Sequence, residues 1–324
     1  MSRGNQILTG ILVLQIALGA VILWPQAAPV AEGEPLFGPL EADQIVRVTI
    51  RDQTGGEIRL LKELGTWVLP DAGNFPCKED AVPNLVQKLV GLTADRLVTE
   101  TRSSHGRLKV AVDDFESRVE FELSDGTRHV LFIGTAPSYG VAHVRVDGQD
   151  QVYLASDLSS MDTNTGAATW IDTQYVTLEQ DEIFEVTLQN GNGRLVFVKD
   201  MAGTWTMPEL GVGETLNESA VTSLVSRVAT VRMLRPLGTE VQDHYGLAVP
   251  GAVLTVRTRD AGGVTQTHTF DVGAKLVDEN AHFCRWSDSP YYVLVAAYTV
   301  QEWVEGTREG FLELPPTPTP QPAD

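Results

Sequence analysis

Histidines are the first residues to consider for metal binding or acid–base chemistry. No two of them show the His-x-x-x-His or His-Glu-x-x-His spacing with which one helix presents two zinc ligands. His143 and His282 each follow an alanine at matching places in an internal repeat, and we interpret these two equivalent residues as packing residues. The sequence therefore predicts no metal site and no cofactor. The six histidines are His105, His129, His143, His244, His268 and His282.

Motifs for nucleophilic or phosphate chemistry are also missing from the sequence. It contains no Gly-x-Ser-x-Gly elbow, no phosphate-loop lysine motif and no dinucleotide-binding glycine motif. Asp147-Gly148-Gln149-Asp150 lacks the spacing and the final glutamate of a calcium loop, so we interpret it as a hairpin turn. Because the chain has 43 Asp and Glu residues, some carboxylates will lie close together by number alone. We predict no catalytic residue.

Tryptophans could hold a ligand by stacking, but their positions favour a structural role. Trp67 and Trp205 each lie in a Gly-Thr-Trp segment shortly before a helical pattern. An aromatic residue at such a place is typical of a core anchor, and ligand stacking is the alternative. Trp170 and Trp303 close the two halves of the chain and are expected to be anchors as well.

The two cysteines, Cys77 and Cys284, do not occupy equivalent positions in the repeat. If they form a disulfide, that bond joins one half of the chain to the other. The alternative is two isolated thiols, since no Cys-x-x-Cys or Cys/His spacing points to metal or redox chemistry.

These residues belong to a duplicated framework. Gly65-Thr66-Trp67 returns as Gly203-Thr204-Trp205, with the tryptophans 138 residues apart. A helical stripe with apolar residues at positions i, i+3, i+4 and i+7 follows each copy. We predict two homologous modules, at 40–172 and 178–308. The stripes are Val82, Leu85, Val86 and Leu89 in the first copy, and Val221, Leu224, Val225 and Val228 in the second.

Alternating apolar residues predict that each module contains a hairpin, a short tryptophan strand, one main helix and several further strands. Asp80 and Asn217 are expected to cap the two helices. Asn217 also begins an Asn-Glu-Ser glycosylation sequon, which is the alternative role for that residue. The expected fold class is α+β, with each module a mostly antiparallel sheet carrying one main helix.

The two ends of the chain differ from the modules. Residues 7–24 are uncharged and mostly apolar, which predicts an N-terminal transmembrane helix or signal anchor within 1–30. Arg3 precedes this run and acidic residues follow it, so the N-terminus should be cytoplasmic and the bulk of the chain extracytoplasmic. Cleavage as a signal peptide is the alternative. Residues 313–324 are rich in proline and predict a disordered tail.

A net charge of −19 argues against nucleic acid as a partner. It is typical of a solvated acidic surface.

The order of these elements resembles the bacterial domain of unknown function 4340 family. The resemblance is carried by Gly-x-Trp, the capped helix, His244-Tyr245-Gly246-Leu247-Ala248-Val249-Pro250 and strands such as Gln151-Val152-Tyr153-Leu154. We expect the family domain in two tandem copies, although the first departs from the pattern at His105-Gly106-Arg107-Leu108. The resemblance implies a membrane-anchored envelope protein often found beside ABC-type transport components, and it supplies no catalytic residue.

We therefore expect a membrane-anchored extracytoplasmic protein that binds a partner without catalysis, as an auxiliary component of an ABC-type transport complex. The partner would be a permease or an associated envelope protein. Two alternatives stay open: an envelope hydrolase that uses a carboxylate pair, and a carrier of a lipid or small ligand.

Overall fold

A computed structural model of the protein describes residues 33–94 and 96–313, together with residue 15. The chain divides into two compact units. The first unit holds the described residues up to Glu57 and Pro83–Thr165. The second unit holds Ile58–Val82 and the described residues from Gly166 onward. The module boundaries expected from the sequence, 40–172 and 178–308, stay predictions.

The first sheet has nine strands in the order β4-β3-β2-β1-β6-β7-β8-β9-β5. Its strands alternate buried and half-exposed residues where one face meets the core, most regularly in β6. The strands are β1 (Ile45–Asp52), β2 (Glu57–Glu63), β3 (Thr66–Leu69), β4 (Phe75–Pro76), β5 (Leu97–Thr99), β6 (Ser117–Leu123), β7 (Arg128–Ile133), β8 (Val141–Val146) and β9 (Val152–Ser156), with helices α1 (Ala81–Val90) and α2 (Ala167–Trp170).

The second sheet has eight strands in the order β12-β11-β10-β14-β15-β16-β17-β13. This is the order of the first sheet without its edge strand β4. The strands are β10 (Ile183–Asn190), β11 (Gly193–Lys199), β12 (Trp205–Thr206), β13 (Arg235–Gly238), β14 (Ala252–Arg259), β15 (Thr265–Leu276), β16 (Ala281–Trp286) and β17 (Tyr292–Ala296), with helices α3 (Glu218–Ala229) and α4 (Ala297–Glu305).

The helical patterns are confirmed where they were expected. The stripes of α1 and α3 are buried along their whole length. The side chain of Asn217 accepts a hydrogen bond from the backbone N–H of Ala220 at 3.1 Å, so this residue caps α3 as predicted.

The predicted α+β class is nevertheless wrong. The described residues form two antiparallel sheets with few helices, of which the longest has 12 residues. A helix of that length extends about 18 Å. A sheet of eight strands is about 34 Å wide at the usual strand spacing. One such helix is therefore too small to form a layer over the sheet, and strands dominate the architecture.

The predicted transmembrane helix is not supported either. No helix among the described residues is both long enough and apolar enough to cross a membrane. Residues 7–24, on which that prediction was made, lie outside the described residues apart from residue 15. The expected tail at 313–324 also lies outside them, apart from Glu313.

Candidate functional site

A cavity of about 370 Å³ lies within the first unit. It is formed by the loop that follows β5 and by the turn between β8 and β9. Its polar lining has a buried floor and an exposed rim. The floor residues are His105, Arg145 and Gln149, and the rim residues are Arg102, Asp113 and Asp147.

Strand pairing places Arg145 at the floor. In β8, Val144 pairs with Ile133 of β7, and the next residue, Arg145, pairs with Phe132. Since successive side chains point to opposite faces of a sheet, Arg145 lies on the face opposite Val144. Its guanidinium carbon is 4.5 Å from the centre of the Phe132 ring, and only 3% of the residue is exposed.

Main-chain carbonyl groups hold most of the Arg145 guanidinium. Its Nε donates to the oxygen of Val110 at 2.7 Å. Its Nη1 donates to the oxygens of Val146 at 3.3 Å and Gln149 at 3.0 Å. Burial lowers the pKa of Arg145 from its usual value, and the carboxylates of Asp147 and Asp150 act against that shift.

Two polar atoms at the floor have no hydrogen-bond partner within the described part of the chain. They are Nη2 of Arg145 and Oε1 of Gln149, and Gln149 is only 7% exposed. Leaving such atoms unpaired costs free energy, because water has been removed and nothing replaces it. Both atoms belong to residues that line the cavity, so these side chains have hydrogen-bonding capacity that the protein itself leaves unused.

The other polar groups of the cavity have partners or face solvent. The buried ring of His105 donates from Nε2 to the carbonyl oxygen of Asp150 at 2.9 Å. Arg102 is largely exposed, and its Nε lies 3.4 Å from Oδ1 of Asp150. Asp147 Oδ1 is 4.0 Å from Arg145 Nη1, and about half of the Asp147 side chain is exposed. The arrangement is suited to binding a polar molecule by hydrogen bonds and charge.

The second repeat lacks this arrangement. In the first repeat, Arg145 pairs with Phe132. At the corresponding position of the second repeat, Arg285 of β16 pairs with Asp271 of β15. Arg285 is exposed, has an acidic neighbour across the strand, and lies with its guanidinium carbon 5.5 Å from the centre of the Tyr292 ring. Arg145 differs because it is buried and because its cross-strand partner, Phe132, is aromatic. A comparison of the two repeats for this difference could have identified Arg145 from the sequence, which the search for motifs missed.

Of the residues singled out from the sequence, His105 and the turn residues Asp147, Gly148 and Gln149 line the cavity, whereas the four tryptophans and the two cysteines lie outside its lining. Trp67, Trp170, Trp205 and Trp303 are all buried, in β3, α2, β12 and α4 respectively. Both Cys77 and Cys284 are free thiols, the first half-buried and the second buried. Burial raises the pKa of Cys77 to about 12 and also raises the pKa of Cys284.

The interpretation of His143 and His282 as equivalent residues is wrong. His143 pairs with Leu154 in β9, whereas His282 pairs with Val295 in β17. Leu154 corresponds to Leu294 in the second repeat, and Leu294 pairs with Phe283 of β16. His143 therefore corresponds to Phe283, the residue after His282. Each histidine donates from Nδ1 to a main-chain carbonyl, at 2.7 Å for His143 and 3.1 Å for His282. These bonds are consistent with a structural role.

Within 33–94 and 96–313, no group of three or more His, Cys, Asp or Glu side chains is arranged to hold a metal ion.

Comparison with known proteins gives one result. No curated protein and no solved structure matches the chain. One family model, described as a domain of unknown function (DUF4340), matches residues 67–250, which is more than half of the chain. It matches as a single copy that begins in the first repeat and ends in the second, instead of once in each repeat. The chain therefore belongs to the DUF4340 family, which is defined by a domain of unknown function.

Proposed function

We propose that this protein is an extracytoplasmic accessory protein that binds a protein partner without catalysis, as an auxiliary component of an ABC-type transport complex. The apolar, uncharged segment 7–24 supports attachment to a cell membrane. The family resemblance supports the link to transport.

The observation that carries the proposal is an exposed apolar side chain at the same turn of each repeat. Leu64 lies in the turn between β2 and β3 and is 102% exposed. Met201 lies in the turn between β11 and β12 and is 104% exposed. Each turn leads directly into the segment that carries the repeat tryptophan.

Such side chains contribute nothing to the core, yet each would gain roughly 1.5–3 kcal/mol if a partner buried it completely. A single exposed apolar residue is ordinary on protein surfaces. The recurrence of a large apolar residue at the tip of the same turn in both repeats supports a shared role in binding a partner.

Site-specific photo-crosslinking in cells tests the proposal. A photoreactive amino acid at position 64 or 201 is expected to crosslink to the permease subunit of a transporter. The same group at Ala261, an exposed residue in the turn between β14 and β15, is the matched control. The proposal fails if neither tip crosslinks to a permease, or if the control position does so equally.

A double variant separates binding from folding. Leu64→Ser with Met201→Ser is expected to leave Tm unchanged, because both side chains are exposed, and to abolish co-purification of the permease. Retained co-purification would contradict a role for the two tips.

Membrane attachment has its own test. The full-length chain should fractionate with membranes and be accessible to protease added outside the membrane. The chain without residues 1–30 should be released from membranes. Release of both chains, or protection of the full-length chain, would contradict the proposed localisation.

A second candidate function, a carrier of a small ligand, is favoured by the cavity in the first unit. Its volume falls within the range of roughly 300–1,000 Å³ that is typical of small-molecule pockets. The two candidates are compatible, because the exposed tips and the cavity are formed by different residues.

A further inference from the structure

We propose that the cavity of the first unit binds a small α-amino or α-hydroxy acid, with its carboxylate against Arg145 and its neighbouring donor group at Gln149. This inference rests on the carrier candidate and names the ligand class. It does not depend on the binding of a protein partner.

The free part of the Arg145 guanidinium determines which group can be bound. Val110, Val146 and Gln149 accept from Nε and Nη1 through their carbonyl oxygens, so Nη2 is the nitrogen that remains for a ligand. A carboxylate is a preferred partner of arginine, because charge-assisted hydrogen bonds are roughly twice as strong as neutral ones.

The positive charge of Arg145 at the floor also favours an anionic ligand. The groups that hold Arg145 are neutral carbonyls and an aromatic ring, and the Asp147 carboxylate is no closer than 4.0 Å to Nη1. The ion pair with Asp147 is long and the Asp147 side chain is half exposed, so the buried guanidinium gains from an incoming anion that pairs with it more closely.

A singly charged anion suits the site better than a dianion such as phosphate. Asp113 and Asp147 line the rim, and Asp150 lies beside Arg102. These carboxylates would repel a second negative charge. They would attract an ammonium group, so a molecule with both charges matches the distribution of charge around the cavity.

Gln149 adds a second requirement. Its Oε1 is a buried acceptor without a partner, so the ligand must supply a hydrogen-bond donor. The main-chain oxygen of Gln149 bonds to the Arg145 guanidinium at 3.0 Å, which places the two residues together at the floor. A donor next to the carboxylate, as in an α-amino or α-hydroxy acid, would meet both requirements at once.

Binding to the purified full-length chain can be measured by NMR chemical-shift changes and by the ligand-induced shift in Tm. The probes form two matched series that differ in side-chain size. The first contains L-alanine, L-lactate, propionate and L-alaninamide, and the second contains the corresponding leucine compounds. The α-amino or α-hydroxy acids should bind, the plain carboxylates should bind at least tenfold more weakly, and the amides should not bind.

Two results would overturn the proposal. In the first, amides bind as well as the acids, so that the carboxylate has no role. In the second, no carboxylate of either series binds, which would mean that water meets the needs of Arg145 and Gln149.

A Gln149→Met variant distinguishes a binding role from a structural one. It keeps the main-chain carbonyl that holds Arg145 and removes the unpaired acceptor. We expect loss of ligand binding together with a Tm about 2 °C higher, because a buried unpaired polar atom has been removed. A lower Tm with unchanged affinity would make Gln149 a structural residue and would contradict the proposal.

Arginine variants complete the test. Arg145→Lys keeps the charge but loses the fork of donors, so affinity should fall at least tenfold. Arg285→Lys, at the same register position of the second repeat, should leave affinity unchanged. Equal effects of the two variants would contradict a site in the first unit. Failure of these binding tests would leave the crosslinking result for the exposed tips unaffected.

Discussion

The hydroxyl of Thr165 donates to Oδ2 of Asp52 at 2.5 Å, across 113 residues of the chain. Asp52 ends β1, and its other carboxylate oxygen accepts from the backbone N–H groups of Thr54 at 2.8 Å and Gly56 at 2.9 Å. The aspartate thus joins the turn after the first strand to the last residue of the first unit. These bonds, that of Thr165 above all and then those of Thr54, lower the pKa of Asp52 to about 2.

This pKa predicts a pH-dependent contribution to stability. Because the folded-state pKa lies below the usual value of 3.8, the contribution is complete above about pH 4 and is lost as pH falls towards 2. Thr165→Val should lower the free energy of unfolding by about 1 kcal/mol at neutral pH, an amount that allows for solvent screening. Urea unfolding at several pH values should show the difference from wild type shrinking below about pH 4.

Thr267→Val, an exposed threonine on β15, serves as the control for the change in side chain. A Thr165→Val effect that stays constant down to pH 2 would show that the ionised carboxylate is not involved.

Two glycines at matching places should be intolerant of any side chain. A Cβ on Gly134, directly after β7, would lie 2.0 Å from the carbonyl oxygen of Leu108. A Cβ on Gly273, within β15, would lie 2.1 Å from the carbonyl oxygen of Tyr245. We expect Gly134→Ala and Gly273→Ala each to destabilise the protein by about 3 kcal/mol, because backbone must move. Thermal unfolding would measure both.

Gly191 provides the comparison for these variants, because a Cβ there would meet nothing within 4 Å. Gly191→Ala should change stability by less than about 0.5 kcal/mol. If Gly134→Ala were equally harmless, the close approach of the Leu108 carbonyl to Gly134 would be disproved.

The repeat tryptophans should carry a large share of the local packing energy. Trp67 and Trp205 are buried, so Trp67→Ala or Trp205→Ala should cost about 3–5 kcal/mol and lower Tm by several degrees. Tyr298→Ala is a suitable control, since this aromatic side chain is 77% exposed. Calorimetry on the three variants checks the prediction, and an unchanged Tm for the tryptophan variants would favour ligand stacking over a core role.

The cysteines should be two unreactive free thiols in the native protein. Burial raises the pKa of Cys77 to about 12 and raises that of Cys284 too, so neither forms much thiolate near neutral pH. Without reductant, Ellman's reagent should react slowly with the native chain and should count two thiols after denaturation. A count of zero after denaturation would instead support the alternative, a disulfide between Cys77 and Cys284.

Much of the local structure could be predicted from the sequence. The buried stripes of α1 and α3, the cap at Asn217 and most strands follow from apolar periodicity and turn residues, which act over a few neighbouring positions. The repeat also indicated corresponding elements, and the two sheets share their strand order. The fold class was wrong because periodicity shows where helices form but does not show how much of a sheet they can cover.

The cavity required the tertiary structure. His105 and Arg145 are 40 residues apart in the chain, and strand pairing brings both to the floor of one cavity. Burial without a partner, as at Arg145 Nη2 and Gln149 Oε1, depends on every group packed around an atom.

Strand register shows the same limit of local patterns. His143 and His282 look equivalent in the sequence, yet the pairing of β8 with β9 and of β16 with β17 sets them one position apart. Side-chain periodicity is a property of neighbours in the chain, and it was readable from the sequence alone. Hydrogen-bond partners and register are settled between distant segments, so only the folded structure decided them.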